Sequence, residues 1–190
     1  MCSSRLRALA FSGLVGLFAS AAGRAEVTGI GPSGFSLKIE TSVGNTPEEV
    51  FKRFVQIARW WDPGHTYSGD AANLALTAKP GGCFCETLPG GGFVEHMNVV
   101  YAAPGKAIRM TGGLGPLQAM GATGALTFEF KPDGANTRLV VTYNVTGFAS
   151  GQGFAKVAPA VDSVLAAQVA RLTHFAETGK PITETGTPPP

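Results

Sequence analysis

Between residues 74 and 146 the chain is cut into short apolar or alternating runs by clusters rich in proline and glycine. The breaks fall at Pro80-Gly81-Gly82, Pro89-Gly90-Gly91-Gly92, Ala103-Pro104-Gly105-Lys106, the glycine-rich stretch 112–115 and Pro132-Asp133-Gly134. Links this short join neighbouring strands antiparallel, because a parallel connection needs a dozen or more residues. About six strands in a meander are therefore predicted, at 74–78, 83–88, 93–102, 107–111, 124–131 and 138–145. A seventh precedes them, where Phe35, Leu37, Ile39, Thr41 and Val43 alternate with polar residues. That period of two marks a half-buried strand.

Helices flank this meander. Thr46 is a fitting N-cap, Pro47 suits the first helical position, and Glu49 completes a capping box. Val50, Phe51, Phe54, Ile57 and Trp61 then fall on one face, so a helix is predicted over 47–59, ended by Asp62-Pro63-Gly64. Residues 65–72 read as a short helical turn or a structured loop. A long closing helix is predicted over 159–177, with Val161, Val164, Leu165, Gln168, Leu172 and Phe175 as its buried stripe and Gly179 as its stop. Arg171 and His174 lie near its C-terminal end, where the dipole favours positive charge. Strands in a run with helices set apart give an α+β fold on an antiparallel sheet.

Residues 1–25 read as a signal peptide, with basic Arg5 and Arg7, an uncharged core over 8–22 and small residues up to Ala25. That core is shorter than the roughly 20 apolar residues of a membrane span. The expected organisation is a signal over 1–25, one domain over 26–179 opening on a glycine-rich connector at 28–34, and a disordered Pro-rich tail over 180–190. Loss of Arg5, Arg7 and Arg24 leaves 12 of the 15 basic residues against 13 acidic ones, so the formal charge moves from +2 to −1. No clustered basic surface remains, which argues against nucleic acid and against a strongly anionic membrane as partners. No stable membrane anchor is expected once the signal is gone, and localisation is expected to be periplasmic or secreted. Charged residues make up 15% of the chain, against about 25% in an ordinary soluble domain.

The order of motifs resembles the Bet v 1-like, START/SRPBCC superfamily, which includes polyketide cyclase-like proteins. Thr46-Pro47-Glu48-Glu49-Val50-Phe51 resembles the opening of its first helix, and Trp60-Trp61-Asp62-Pro63 the segment after it. Gly81-Gly82-Cys83-Phe84, Ala103-Pro104-Gly105-Lys106 and residues 165–175 resemble later turns and the closing helix. The resemblance implies a helix-grip fold, a curved antiparallel sheet of about seven strands around the C-terminal helix. It also implies a cavity between sheet and helix for lipids, hormones or polyketides. The superfamily has no single catalytic motif, so the resemblance assigns no residue a role.

Cys83 and Cys85 lie two apart on one predicted strand and face the same way. Their Cα atoms in an extended strand stand about 6.5–7 Å apart, at or beyond disulfide reach. The spacing points first to two buried reduced thiols. A local disulfide on a kinked strand, a bridge to another chain and a soft metal site shared with His96 stay open. No second C-x-x-C and no H-x-x-x-H pattern accompanies them, so no metal is assigned.

Glu86, Glu95 and His96 flank the 89–92 turn, so hairpin pairing brings Glu86 near Glu95 or His96. One register sets Glu86 and His96 on the face of Phe84, and a slip of one residue swaps the faces. Facing inward they make an acid–base pair; facing outward, a solvated cross-strand pair. His65 with Asp70 is a second candidate acid–base set. Trp60, His65 and Tyr67 fall outside the helix stripe and are placed at the cavity mouth, with Trp61 in the core. The glycine-rich 112–120 segment matches neither a phosphate loop nor a dinucleotide fingerprint, and no cofactor is expected. It suits a mobile lid, with apolar Leu114, Leu117 and Met120.

Three readings follow. The first is an exported carrier whose apolar ligand touches Trp60, His65, Tyr67, Phe84, Leu117, Met120, Leu165 and Gln168. The second is a cyclase- or dehydratase-like enzyme using Glu86 or Glu95 with His96, or His65 with Asp70. The third is an interaction module, for which a dimer is the simplest partner.

Overall fold

The computed structural model describes residues 24–148 and 153–182. Most of the expected signal segment and of the expected tail lies outside the described residues. β1 (Arg24–Gly31), β2 (Gly34–Val43), β3 (Leu74–Leu76), β4 (Cys83–Thr87), β5 (Phe93–Ala103), β6 (Ala107–Gly112), β7 (Thr123–Asp133) and β8 (Asn136–Thr146) form one antiparallel sheet. Its spatial order is β1-β2-β8-β7-β6-β5-β4-β3. Helices α1 (Pro47–Phe54), α2 (Pro116–Ala119) and α3 (Phe154–Thr178) complete the α+β helix-grip architecture.

The eighth strand is the segment expected to be a connector. Residues 28–31 pair with β2 through Ile30↔Phe35 and Gly31↔Gly34, so the glycines sit in an edge hairpin instead of a linker. The pairing satisfies their backbone groups, which composition alone does not reveal.

Alternation decides the buried face. Leu37 stands opposite Tyr143, Ile39 opposite Val141, Phe128 opposite Val141, and Ile108 opposite Phe128, and all of these are buried. Phe54 packs its ring 4.7 Å from Phe128 and 5.7 Å from Phe130, which fastens α1 to the sheet.

α1 is shorter than its apolar stripe suggests. Thr46 Oγ1 accepts from the Glu49 N–H at 3.4 Å, as a cap should, but the Glu49 carboxylate pairs with Lys52 at 2.6 Å instead of closing the box. The helix stops at Phe54, and a separate 3-10 turn follows at Ile57–Arg59.

α3 begins more than a turn before the expected Pro159. Pro159 lacks the N–H for one helical bond. Buried Phe154, whose ring lies 5.8 Å from Phe35, anchors the extra turn. The second half of α3 seals the core, with Leu172, Phe175 and Ala176 buried and the Arg53 and Arg59 guanidiniums 5.4 and 5.2 Å from the Phe175 ring centre. Arg171 ties α3 to its surroundings by donating to Trp60 O and to Ile182 O, so the first residues of the expected tail are fastened down. Among the described residues no helix is long and apolar enough to cross a membrane.

Candidate functional site

Beyond the contacts of buried Phe154 and Ala158, the first half of α3 roofs a hollow instead of a packed core. Lys156, Val157, Ala160, Val161, Val164 and Leu165 face a cavity of about 580 Å³. Opposite them stand Trp61, His65, Thr66, Tyr67 and His96, and Leu114, Gly115 and Pro116 close the end. The hollow thus lies under residues 156–165, while the 168–176 stretch, also expected to roof it, covers solid core.

A bulge in β5 creates the floor. Cys85 pairs with Glu95 and Phe84 with Met97, which leaves His96 as the extra, unpaired residue. A bulge re-aims side chains on its strand. Here it lets His96 and Met97, adjacent in sequence, both turn inward and be buried. Glu86 and Phe84 share that inner face. The His96 ring lies 4.6 Å from Phe84 and 5.8 Å from Tyr67, and Phe84 in turn lies 5.1 Å from Trp61.

Glu86 is 1% exposed, yet its carboxylate is well supplied with donors. The Tyr67 N–H donates to Oε2 at 3.1 Å, the Ser68 N–H donates to Oε1, and His96 Nε2 lies 3.0 Å from Oε2. Burial by itself raises the carboxyl pKa, but the bonds from Ser68, Tyr67 and His96 outweigh it and hold the group below its usual value. For His96 burial dominates and lowers the pKa, with Glu86 pulling the other way. At neutral pH the pair is a carboxylate and a neutral imidazole. An ionised carboxylate only accepts, so the ring proton sits on Nε2 and Nδ1 keeps a lone pair. Among the described residues, the buried side-chain N and O atoms lacking a hydrogen-bond partner are Asp162 Oδ1 and Gln168 Nε2. Among the described residues none hydrogen-bonds to His96 Nδ1, and His96 is one of the residues that line the cavity.

Several expected site residues fall elsewhere. Trp60 and Trp61 exchange places: Trp60 is core, donating to Phe54 O at 2.9 Å, and Trp61 lines the cavity while donating to His65 O at 3.0 Å. The helix stripe misassigns them because α1 has already ended at Phe54. Phe84 backs His96 without lining the cavity. Leu117 is fully buried under its own turn, and Leu114 and Pro116 line the cavity in place of Leu117 and Met120. Gln168 spends its Oε1 on the Asp62 N–H at 2.9 Å, so it positions the Trp61 loop and is not among the lining residues. His65, Tyr67 and Leu165 line the cavity as expected.

Glu95 is exposed on the opposite face of the sheet from His96, where its Oε1 accepts from Asn98. His65 lies 3.4 Å from Asp62, and Asp70 caps a separate turn by accepting from the Ala72 N–H, so the His65–Asp70 pair does not form. The 112–120 segment is held down at three points. Tyr143 donates to Gly112 O at 2.9 Å, Tyr67 donates its phenol proton to Gly115 O at 3.1 Å, and Gln118 donates to Glu95 O at 2.8 Å.

Cys83 and Cys85 form a disulfide, which overturns the reading as reduced thiols. Their Cα atoms are 5.5 Å apart, inside disulfide range, because β4 contracts where it meets the β5 bulge. The two sulfurs and a Glu95 carboxylate oxygen lie within 4.8 Å of one another, but sulfurs bonded together are not thiolate ligands. A metal shared with His96 is ruled out by geometry, since His96 lies on the other face.

A family model described as activator of Hsp90 ATPase homolog 1-like protein matches residues 45–176, more than half of the chain. Among solved structures, an uncharacterised protein from Rhizobium leguminosarum is 19% identical with a TM-score of 0.57, over 81% of this chain and 97% of that one. CalU16 from Micromonospora echinospora is 14% identical with a TM-score of 0.56, over 86% and 88%. The di-domain ARO/CYC StfQ of the steffimycin biosynthetic pathway is 14% identical with a TM-score of 0.53, over 77% of this chain and 50% of that one. Likeness at these identities establishes a shared fold. The comparison with curated proteins found no match.

Proposed function

We propose that this chain, which belongs to the activator of Hsp90 ATPase homolog 1-like family of the SRPBCC superfamily, holds an apolar small molecule between α3 and the sheet, outside the cytoplasm. One observation carries the binding part: a cavity of about 580 Å³ whose wall is mostly apolar, with polar groups at His65, Thr66, Tyr67, His96 and Lys156. That volume lies within the roughly 300–1,000 Å³ of small-molecule sites, which combine greasy walls with few polar groups. Export rests on the basic-then-apolar composition of residues 1–25 and on the Cys83–Cys85 disulfide, a bond that persists in oxidising compartments. Native mass spectrometry of the protein from a periplasmic or culture-supernatant fraction tests both parts. The expected result is a chain shortened by about 25 residues at its N-terminus, carrying or accepting one apolar guest. A full-length chain confined to the cytoplasm contradicts export.

The Glu86–His96 pair favours a second reading, acid–base catalysis in the same cavity, of a cyclase- or dehydratase-like kind. A carboxylate orients the imidazole, and the His96 ring is part of the wall of the space where a substrate would sit. A positioned base of this type contributes about two to four decades in rate. If no turnover of cyclisable polyketones is found with wild type while an apolar guest still binds, the carrier reading stands alone.

A further inference from the structure

The cavity reading leaves the chemistry of the guest open, and the hydrogen-bond inventory of the wall narrows it. On one side stand flat rings, Trp61, Tyr67 and His96; on the other stand aliphatic Val157, Val161, Val164 and Leu165. Apart from exposed His65, the side-chain protons on the aromatic side are already committed. Trp61 Nε1–H goes to His65 O, the Thr66 hydroxyl to Pro63 O, the Tyr67 phenol to Gly115 O and His96 Nε2–H to Glu86. What the buried part of the wall offers is a lone pair at His96 Nδ1; the Thr66 and Tyr67 oxygens also keep lone pairs, on residues that stay partly exposed. An acceptor covered by a hydrocarbon guest loses its water without compensation, and a carbonyl or carboxylate there meets lone pair with lone pair. A hydroxyl meets it correctly.

We propose that the guest is a planar, apolar ring system bearing a hydroxyl, phenolic or enolic, whose O–H donates to Nδ1 of His96. The proposal rests on the cavity reading and deepens it. Ring faces match the Trp61 and Tyr67 side, and the aliphatic side of α3 tolerates varied outlines. Lys156 and His65 also line the cavity, but both are exposed, so water can satisfy their donors when a guest is bound.

The test uses a matched pair of probes, 2-naphthol and 2-methoxynaphthalene, titrated by calorimetry into the disulfide-intact protein. They share a ring system and differ in the one proton at issue. Wild type is expected to bind 2-naphthol about tenfold more tightly, the size of one desolvated hydrogen bond. His96→Phe keeps a flat ring and is expected to bring the two affinities together by weakening 2-naphthol alone. Glu86→Gln removes the negative charge that holds the ring proton on Nε2, so the preference is expected to weaken there too. Should either variant fail to fold, ¹⁵N NMR of wild type with labelled imidazoles replaces it. The expected spectrum has the His96 proton on Nε2, with the Nδ1 signal moving when 2-naphthol is added and staying put with the ether. Equal affinities in wild type, or a preference that survives His96→Phe, overturn the proposal while leaving an apolar cavity. Failure of both probes to bind overturns the cavity reading itself.

Discussion

Glu86 and His96 spend their burial on each other, and pH exposes the cost. Both pKa values are lowered in the folded protein, from 4.5 for Glu86 and from 6.5 for His96. In each case the unfolded chain takes up a proton first as pH falls, so acid favours unfolding. Stability from this pair is complete above about 6.5, begins to fall there as unfolded His96 charges, and falls again below about 4.5 with Glu86. Urea unfolding at a series of pH values checks this, and His96→Phe is expected to flatten the upper step. Tyr143 acts at the other end of the scale. Burial pushes its phenol up to about 12, so the neutral form is held in the fold and stability declines as pH rises past 10, where the unfolded phenol ionises. Its hydroxyl also donates to Gly112 O and accepts from the Leu114 N–H. Tyr143→Phe is expected to cost about 1–2 kcal/mol at pH 7 for those bonds and to remove the alkaline decline.

At the scale of elements, the β4–β5 hairpin joins the disulfide to the site. The bulge that turns His96 inward lies opposite the Phe84–Cys85 step, and the Cys83–Cys85 bond holds β4 contracted at that step. A Cys83→Ala/Cys85→Ala variant is expected to fold, to lose about 1–2 kcal/mol because the loop it releases is short, and to shift the His96 imidazole NMR signals. Unmoved signals mean that backbone pairing alone sets the bulge. The 112–120 segment is held from the other side by the Tyr67 phenol on Gly115 O. That bond is half exposed, so Tyr67→Phe is expected to change stability little and to speed guest release, as read by stopped-flow displacement. Gly112 has φ of 155°, and a Cβ there would lie 2.5 Å from His96 O, so Gly112→Ala is expected to disturb the bulge as well as the 112–120 segment.

Across the whole molecule, α3 divides its labour. Its second half closes a core, and its first half roofs a hollow. The strand meander, α1 and the closing helix were legible because period-two runs, a Thr-Pro-Glu-Glu cap and turn glycines are local signals. The helix-grip arrangement was legible through the order of its motifs. What escaped depends on events a few residues long. The early stop of α1 exchanges Trp60 with Trp61. The β5 bulge brings His96 and Met97 to one face, and the contracted β4 lets two cysteines bond at a spacing an extended strand forbids. None of these leaves a periodic trace. The pairing of Glu86 with His96 was an open alternative, because one register slip reverses it. The hollow under residues 156–165 is the feature on which every functional statement depends, and filling it tests that most directly. An apolar fluorescent probe titrated into wild type is expected to saturate at one site per chain, and Val161→Trp is expected to abolish that binding while melting within a few degrees of wild type. Equal binding by the filled variant, or none by wild type, contradicts a guest held beneath α3.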